Sequence, residues 1–213
     1  MPRTLLLISI ALASAARAAF AADPSPPPEA AAQVDNAELA RIYGDDQGDR
    51  SSGKAIDWGV VGPRDLARQA RVKTLYGSGQ LQTGADYFHA AMVLQHGQAP
   101  EDFLLCHELC IAAIIRGNKP ARWLAAASED RFLMNLERPQ RFGTQFRSMG
   151  DGPMKLYRTE DGVTDALRGE FGVPTLAESK ARESRMYAMY KAPSPSPTPV
   201  SGSPAAGQQP GRP

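Results

Sequence analysis

A single aspartate, Asp130, lies within an otherwise apolar stripe of a predicted helix and is the first candidate for chemistry. Its neighbours on that stripe are Trp123, Ala126, Ala127 and Met134. Residues three and four positions apart share one face of a helix, so packing of the stripe would carry a carboxylate inward. Because burying an unpaired carboxylate is costly, we expect Asp130 to be buried and held by a cation or by several hydrogen-bond donors.

Polar residues from other segments are the expected partners of Asp130. The candidates are Thr144 or Gln145 in the loop after its helix, His96 in the neighbouring hairpin, and Arg50. Glycine at position 143 permits a tight backbone course through that loop. We therefore expect a polar cluster that draws on several segments of the chain. Its candidate members are Asp46, Gln47, Arg50, Gln95, His96, Asp130, Arg131, Gln140, Thr144 and Gln145.

This cluster has two interpretations. In the first, it is a buried hydrogen-bond network that fixes the register of the helices. In the second, it is a ligand-binding or active site, in which Asp130 or His96 is a general base and Arg131 or Gln145 gives electrostatic support. The sequence offers no Ser or Cys nucleophile with an evident His partner, and no paired-carboxylate motif, so catalysis is the less favoured interpretation.

The two cysteines, Cys106 and Cys110, are four residues apart and share one face of a predicted helix. A regular helix does not readily give disulfide geometry at that spacing, so we expect small, unbridged core residues. A strained or intermolecular disulfide, or a metal site with His107 or with His89 and His96, stays open as an alternative. His107 and Glu108 resemble the start of a zinc-protease motif, but Ile111 replaces the second histidine. No cofactor and no metal are predicted.

Prolines and glycines indicate where the helices that carry these residues begin and end. Pro63, Pro100 and Pro120 each precede a helical pattern, where a missing N–H costs nothing. Gly97 and Gly117 follow apolar runs, as helix-ending glycines do. The main predicted helices span Pro63–Tyr76, Ala85–His96, Pro100–Arg116 and Pro120–Leu136. Weaker patterns span Asn36–Tyr43, Val163–Phe171 and Leu176–Tyr190.

Short turns between the middle helices predict helical hairpins with antiparallel neighbours. Small residues recur at matching positions, at Ala90-Ala91 and Ala126-Ala127, as in hairpin repeats. The segment Phe103–Ile115 is apolar nearly all round and is predicted to be the most buried helix. Thr144–Arg147 and Met154–Arg158 flank a turn and predict a small β-hairpin. The expected fold class is all-α, a compact, repeat-like bundle of antiparallel helical hairpins.

The two ends of the chain differ in composition from its middle. Residues 1–21 combine Arg3, a short apolar run and the small residues of Ala19-Phe20-Ala21, which is typical of a cleavable signal peptide. A Pro/Ala-rich linker over 22–33 and a Pro/Ser-rich tail over 192–213 are expected to be disordered. The predicted helical domain is therefore 34–191, in a periplasmic or secreted protein.

Charge and hydropathy exclude two classes of partner. The formal net charge of the 213-residue chain is +1, which argues against a nucleic-acid-binding surface. Charged and polar residues interrupt every internal apolar run before it reaches the length of a membrane helix, so we expect no membrane span in the mature protein.

Four short motifs resemble those of a bacterial family of domains of unknown function, numbered 6624. They are Asp46-Gln47 with Arg50, Gln95-His96-Gly97, Asp130-Arg131, and Gln140 with Phe142-Gly143-Thr144-Gln145. The resemblance extends over Leu39–Val173. It implies a mostly helical domain of the kind found in exported or envelope-associated proteins, and it implies no activity. Around Tyr76–Gln82 the chain departs from the family pattern, with Gly77-Ser78-Gly79 in place of a Gly-Trp-Pro-like turn.

Two classes of function are consistent with these features. The favoured hypothesis is a non-catalytic periplasmic binding or interaction module, with a peptide or a cell-envelope ligand as its partner. The alternative is a hydrolase with an Asp/His-centred polar site. An Asp130 beside His96 in an open pocket would favour the hydrolase.

Overall fold

A computed structural model describes residues 33–51, 53, 55–148, 150 and 152–191. The predicted signal peptide, almost all of the predicted linker and the predicted tail lie outside these described residues. Those from Val34 onwards belong to one compact unit.

Seven helices and one two-stranded sheet make up the described part of the chain. The helices are α1 (Ala37–Ser51), α2 (Trp58–Gly77), α3 (Gly84–Leu94), α4 (Pro100–Ile115), α5 (Ala121–Asn135), α6 (Asp165–Glu170) and α7 (Leu176–Lys191). The strands β1 (Phe146–Arg147) and β2 (Lys155–Leu156) pair antiparallel, with Phe146 opposite Leu156. The predicted all-α bundle with one small hairpin is confirmed.

Two helices differ from their predicted bounds for identifiable reasons. Helix α2 begins at Trp58 because the Asp57 side chain accepts a hydrogen bond from the Gly59 amide at 3.0 Å and caps the helix there. Pro63 consequently lies inside α2 instead of opening it. Helix α1 continues to Ser51, well past the predicted end at Tyr43, and therefore carries the Asp46 motif on a helix.

The core lies between α3 and the helices around it. Helices α1, α2 and α4 all pack on α3, and α5 packs on α4. Helix α4 is central, as predicted, since it packs on both α3 and α5. The prediction that it is the most buried helix is wrong, because part of its apolar surface faces solvent. Leu104, Ile111 and Ile115 of α4 are exposed, Ile115 by 80%. No helix among the described residues is long and apolar enough to cross a membrane.

The turn between α3 and α4 explains the glycine of the Gln95-His96-Gly97 motif. A Cβ added to Gly97 would collide with the Asp102 side chain. That side chain accepts a hydrogen bond from the Ala99 amide at 3.3 Å, at the start of α4, and forms an ion pair with Lys73 of α2. Only glycine at position 97 leaves room for this arrangement.

Cys106 and Cys110 are fully buried on α4 and are not bridged, as predicted. The Cys106 thiol donates a hydrogen bond to the Ala91 carbonyl of α3 at 3.2 Å. The hydrogen bond between the two thiols, together with burial, raises the pKa of Cys110 far above its usual range. The thiolate is the reactive form of cysteine, so Cys110 is chemically protected.

We predict that the native protein reacts only slowly with a thiol reagent and that both thiols titrate rapidly after denaturation. The physical reason is that burial and the raised pKa of Cys110 keep the reactive thiolate scarce. Ellman titration with and without guanidinium chloride measures both states. A Cys110→Ala variant, which should titrate as one thiol, calibrates the count. Finding no titratable thiol in denatured, non-reduced monomer would contradict the prediction.

Candidate functional site

Asp130 of α5 is fully buried, and its carboxylate accepts four hydrogen bonds from the loop after the helix. Its Oδ1 accepts from the amides of Arg141 at 2.7 Å and Phe142 at 2.8 Å. Its Oδ2 accepts from the Thr144 amide at 2.9 Å and the Thr144 hydroxyl at 2.7 Å. The expectation of a buried aspartate held by donors from another segment is therefore correct. Of the two loop residues named as candidate partners, Thr144 binds Asp130 directly, whereas Gln145 bonds to the Thr144 hydroxyl instead.

Arg168 of α6 binds the same loop segment through its carbonyl groups. Its side chain is 2% exposed. Its Nε donates to the Phe142 carbonyl at 3.1 Å, and its Nη2 donates to the Arg141 carbonyl at 3.0 Å. Its Nη1 donates to the Val163 carbonyl at 2.6 Å. The backbone of Arg141 and Phe142 is thus bonded through its N–H groups to a carboxylate and through its C=O groups to a guanidinium. We call this arrangement the Asp130–Arg168 clamp.

Gln140 closes the loop on itself and joins it to the segment that contains β2. Its fully buried side chain accepts a hydrogen bond from the Gln145 amide at 2.8 Å. The same side chain donates to the carbonyls of Gln145 at 3.0 Å and Tyr157 at 2.8 Å. Gln145 in turn donates to the Thr144 hydroxyl at 2.8 Å. Both glutamines therefore fix the shape of the loop and are not free to bind a ligand through these groups.

Gly143 gives the loop a turn that other residues rarely adopt. Its φ is +76°, in the left-handed region where a Cβ is strained. A Cβ there would meet Leu176 and Ser179 only at ordinary contact distances, the nearest atom being 3.7 Å away. The requirement for glycine therefore comes from the backbone conformation needed to present Phe142 and Thr144 to Asp130.

A second polar cluster surrounds Asp46 on α1. Asp46 is buried and accepts hydrogen bonds from Gln47 Nε2 at 2.7 Å and Arg50 Nη1 at 3.0 Å. Arg50 also binds Asp65 of α2 at 2.6 Å. His96 Nε2 lies 3.4 Å from Asp46 Oδ2 but is not aligned for a hydrogen bond. The prediction that Arg50 and His96 are partners of Asp130 is therefore wrong, because the length of α1 places Arg50 one helical turn after Asp46.

Arg131 and Gln95 connect α5 to the end of α3. Arg131 Nη1 donates to Gln95 Oε1 at 3.3 Å. Burial lowers the pKa of the Arg131 guanidinium below its ordinary value, although an arginine stays charged at neutral pH. The ten candidate residues thus form two clusters, one at Asp130 and one at Asp46, with Arg131 and Gln95 on a separate contact.

The histidines that could have joined the cysteines in a metal site make other contacts. His107 Nδ1 lies 2.9 Å from the Ala125 carbonyl. The ring of His89 stacks on Tyr43, with centroids 4.3 Å apart, and burial lowers its pKa. Among the described residues, no three His, Cys, Asp or Glu side chains are placed to hold a metal ion.

A groove of about 610 Å³ lies beside the clamped loop. The loop forms one wall, and the segment that leads into α7 and the first part of α7 form another. Aromatic and charged side chains line it, namely Trp123, Phe146, Glu178, Arg182 and Arg185. Trp123 was expected to pack inward with Asp130. It is instead 42% exposed and lines the groove.

The residues that sequence reasoning missed are Arg168 and the groove side chains of α7. The requirement for a cation or several donors at a buried Asp130 was recognised from the sequence. Nothing in the pattern around Arg168 identified that residue as buried, since arginine is seldom fully buried.

The fold and site define an all-α protein with a buried carboxylate–guanidinium clamp beside an open groove. Comparisons with protein-family models, curated proteins and solved structures found no match.

We predict that Asp130→Ala lowers the free energy of unfolding by about 3–5 kcal/mol, because four donors lose their charged acceptor inside the protein. Asp130→Asn is also destabilising, since one oxygen becomes an NH2 group that faces donors. Chemical denaturation measures both variants. The matched control is Asp161→Ala, which removes an exposed aspartate. Equal stabilities of Asp130→Ala and Asp161→Ala would refute the structural role of Asp130.

We further predict that Arg168→Lys does not preserve stability, although it keeps the charge. A lysine ammonium is a single point of donation and cannot reproduce the planar fork that reaches three carbonyls. Thermal melting of Arg168→Lys beside Arg138→Lys, which changes an exposed arginine, tests this directly. A lysine variant as stable as the control would show that charge alone suffices.

Proposed function

We propose that the chain is an exported, non-catalytic binding or interaction module that holds a peptide or cell-envelope ligand in the groove beside the clamped loop. The observation that carries this proposal is the difference between the clamped loop and the groove beside it. The buried polar side chains of the loop are bonded internally, whereas the groove presents aromatic and cationic side chains to solvent. A rigid wall with exposed recognition groups is typical of a preformed ligand site.

Asp130 is poorly suited to the alternative, catalysis. A general base must reach the proton that it removes, and Asp130 is fully buried with four donors already bound. The hydrolase hypothesis in which Asp130 is the general base is therefore weakened.

The second form of the hydrolase hypothesis rests on His96 beside Asp46. A carboxylate near a histidine is the arrangement that orients a general base, and the two groups lie 3.4 Å apart. Within the described residues, however, His96 makes no hydrogen bond to a hydroxyl or a thiol. The Asp46 carboxylate is already bonded to Gln47 and Arg50 and is not aligned with His96, so it does not orient the imidazole as a base. Binding is therefore the better supported function.

Export is part of the proposal and rests on residues 1–21. A positive residue, a short apolar run and small residues before the expected cleavage site are typical of a signal peptide. If residues 1–21 are a cleaved signal peptide, protein isolated from the native cell should have its mature N-terminus near Ala22. Intact mass measurement checks it, and an unprocessed Met1 in a cytosolic fraction would contradict it.

Ligand binding at the groove is testable with the two tryptophans of the chain. In a Trp58→Phe variant, the remaining tryptophan is Trp123 in the groove. Soluble cell-wall fragments and mixed short peptides should change its fluorescence and raise the melting temperature, because a ligand that binds only the folded state stabilises it. The matched Trp123→Phe variant, which keeps Trp58, should show no fluorescence change.

The same samples distinguish binding from hydrolysis. Mass spectrometry of the probes after incubation should recover them unchanged. New cleavage products that disappear in a His96→Gln variant would replace the binding proposal with the hydrolase. A lack of any melting-temperature increase across the peptides and wall fragments would refute the proposed ligand classes.

A further inference from the structure

We infer that the ligand of the groove is a short peptide that carries a carboxylate side chain, bound by Arg182 and Arg185 of α7. This inference rests on the proposed binding function and specifies the chemistry of its ligand. It is carried by the charge, the aromatic contacts and the size of the groove.

The two arginines supply positive charge that the described part of the chain does not neutralise. Arg182 and Arg185 are three residues apart and lie on one side of α7, where like charges repel each other. Among the described residues, neither forms an ion pair with a carboxylate. An anionic group between them would relieve the repulsion and accept charge-assisted hydrogen bonds.

The one acidic residue of the groove, Glu178, serves another purpose. Its Oε2 accepts hydrogen bonds from the amide and the hydroxyl of Thr175, both at 2.8 Å. These bonds hold the first turn of α7, and the side-chain bond to Thr175 is the main cause that lowers the pKa of Glu178. Because this carboxylate binds Thr175, the arginines remain available to a ligand.

Two aromatic side chains, Phe146 and Trp123, give the groove an apolar surface close to the arginines. The Arg182 guanidinium lies over the Phe146 ring, 5.1 Å from its centroid. This cation–π contact restrains a side chain that would otherwise be free to move. Trp123 adds an exposed indole surface to the same groove. The geometry therefore favours a carboxylate adjacent to an aromatic or aliphatic side chain.

The size of the groove favours a peptide over a small anion. Its volume of about 610 Å³ falls within the range of sites that enclose ligands of several hundred daltons. A phosphate or acetate ion would fill a small part of it. Gly143 and Gly172 leave stretches of main chain on the walls without side chains, and the main chain of an extended peptide can approach there.

The test uses the full mature chain with the Trp58→Phe change and two peptide libraries. Both libraries contain acetylated, amidated tetrapeptides with three mixed positions, and the third position is fixed as Glu in one and Gln in the other. We expect the Glu library to bind about tenfold more tightly by Trp123 fluorescence, because hydrogen bonds to charged groups are the stronger class. This preference should shrink as salt is raised, since exposed charges are screened.

The variant Arg182→Gln/Arg185→Gln should abolish the preference for Glu over Gln. The control is Arg41→Gln, which removes one exposed positive charge from α1, outside the groove. It measures how much the loss of one such charge alone changes peptide binding. A preference that survives in the double variant, or that falls equally in the control, would overturn the inference.

The outcomes separate this inference from the proposed function. Equal binding of both libraries at Trp123 would overturn the carboxylate assignment and leave a groove that binds peptides. If inorganic phosphate at equal concentration displaces the Glu library, the site is a general anion site and the peptide assignment is wrong. If neither library changes Trp123 fluorescence while wall fragments do, the inference fails and the binding function stands. If no probe of any class binds, both fail.

Discussion

The loop between α5 and β1 depends on one interaction, in which two peptide groups are bonded on one side to a carboxylate and on the other to a guanidinium. Asp130 takes the N–H groups of Arg141 and Phe142, and Arg168 takes their carbonyls. Buried charges are costly unless they are paired and hydrogen-bonded. Here the polar backbone supplies most of the partners of both charges, and Arg168 also forms an ion pair with Asp165 at 3.4 Å. Each charge in turn satisfies backbone groups that would otherwise be buried without partners.

The clamp also determines how the C-terminal part of the described chain is placed. Arg168 belongs to α6 and binds Val163 just before it, so the same guanidinium that holds the loop also holds the start of the segment leading to α7. Phe142 and Phe171 pack with ring centroids 4.9 Å apart and belong to one small apolar cluster that also contains Val163 and Val173. One buried arginine therefore holds both the loop that forms one wall of the groove and the start of the segment that leads to the other wall.

Much of the helical layout follows from local chemistry in the sequence, whereas the pairing of distant charges does not. Pro100 opens α4, and Gly117 follows it, as expected. Asp130 was identified because its position on an apolar stripe is periodic. Arg168 was not, since its burial depends on carbonyls more than twenty residues away. Arg50 was assigned to the wrong aspartate because the extension of α1 to Ser51 brings it to Asp46.

The motif residues and the groove residues differ in how their polar groups are bonded. Asp130, Gln140, Thr144 and Gln145 stand out in the sequence because polar residues inside a helical core need explanation, and each is explained by a hydrogen bond within the loop. Recognition of a ligand needs the opposite property, which is bonding capacity left unused at the surface. Among the residues that the structure describes, Arg182 and Arg185 form no ion pair, and they belong to no motif because an exposed arginine on a helix is ordinary in sequence. The motif residues thus shape the loop that forms one wall of the groove, but only Gly143 and Thr144 among them line it.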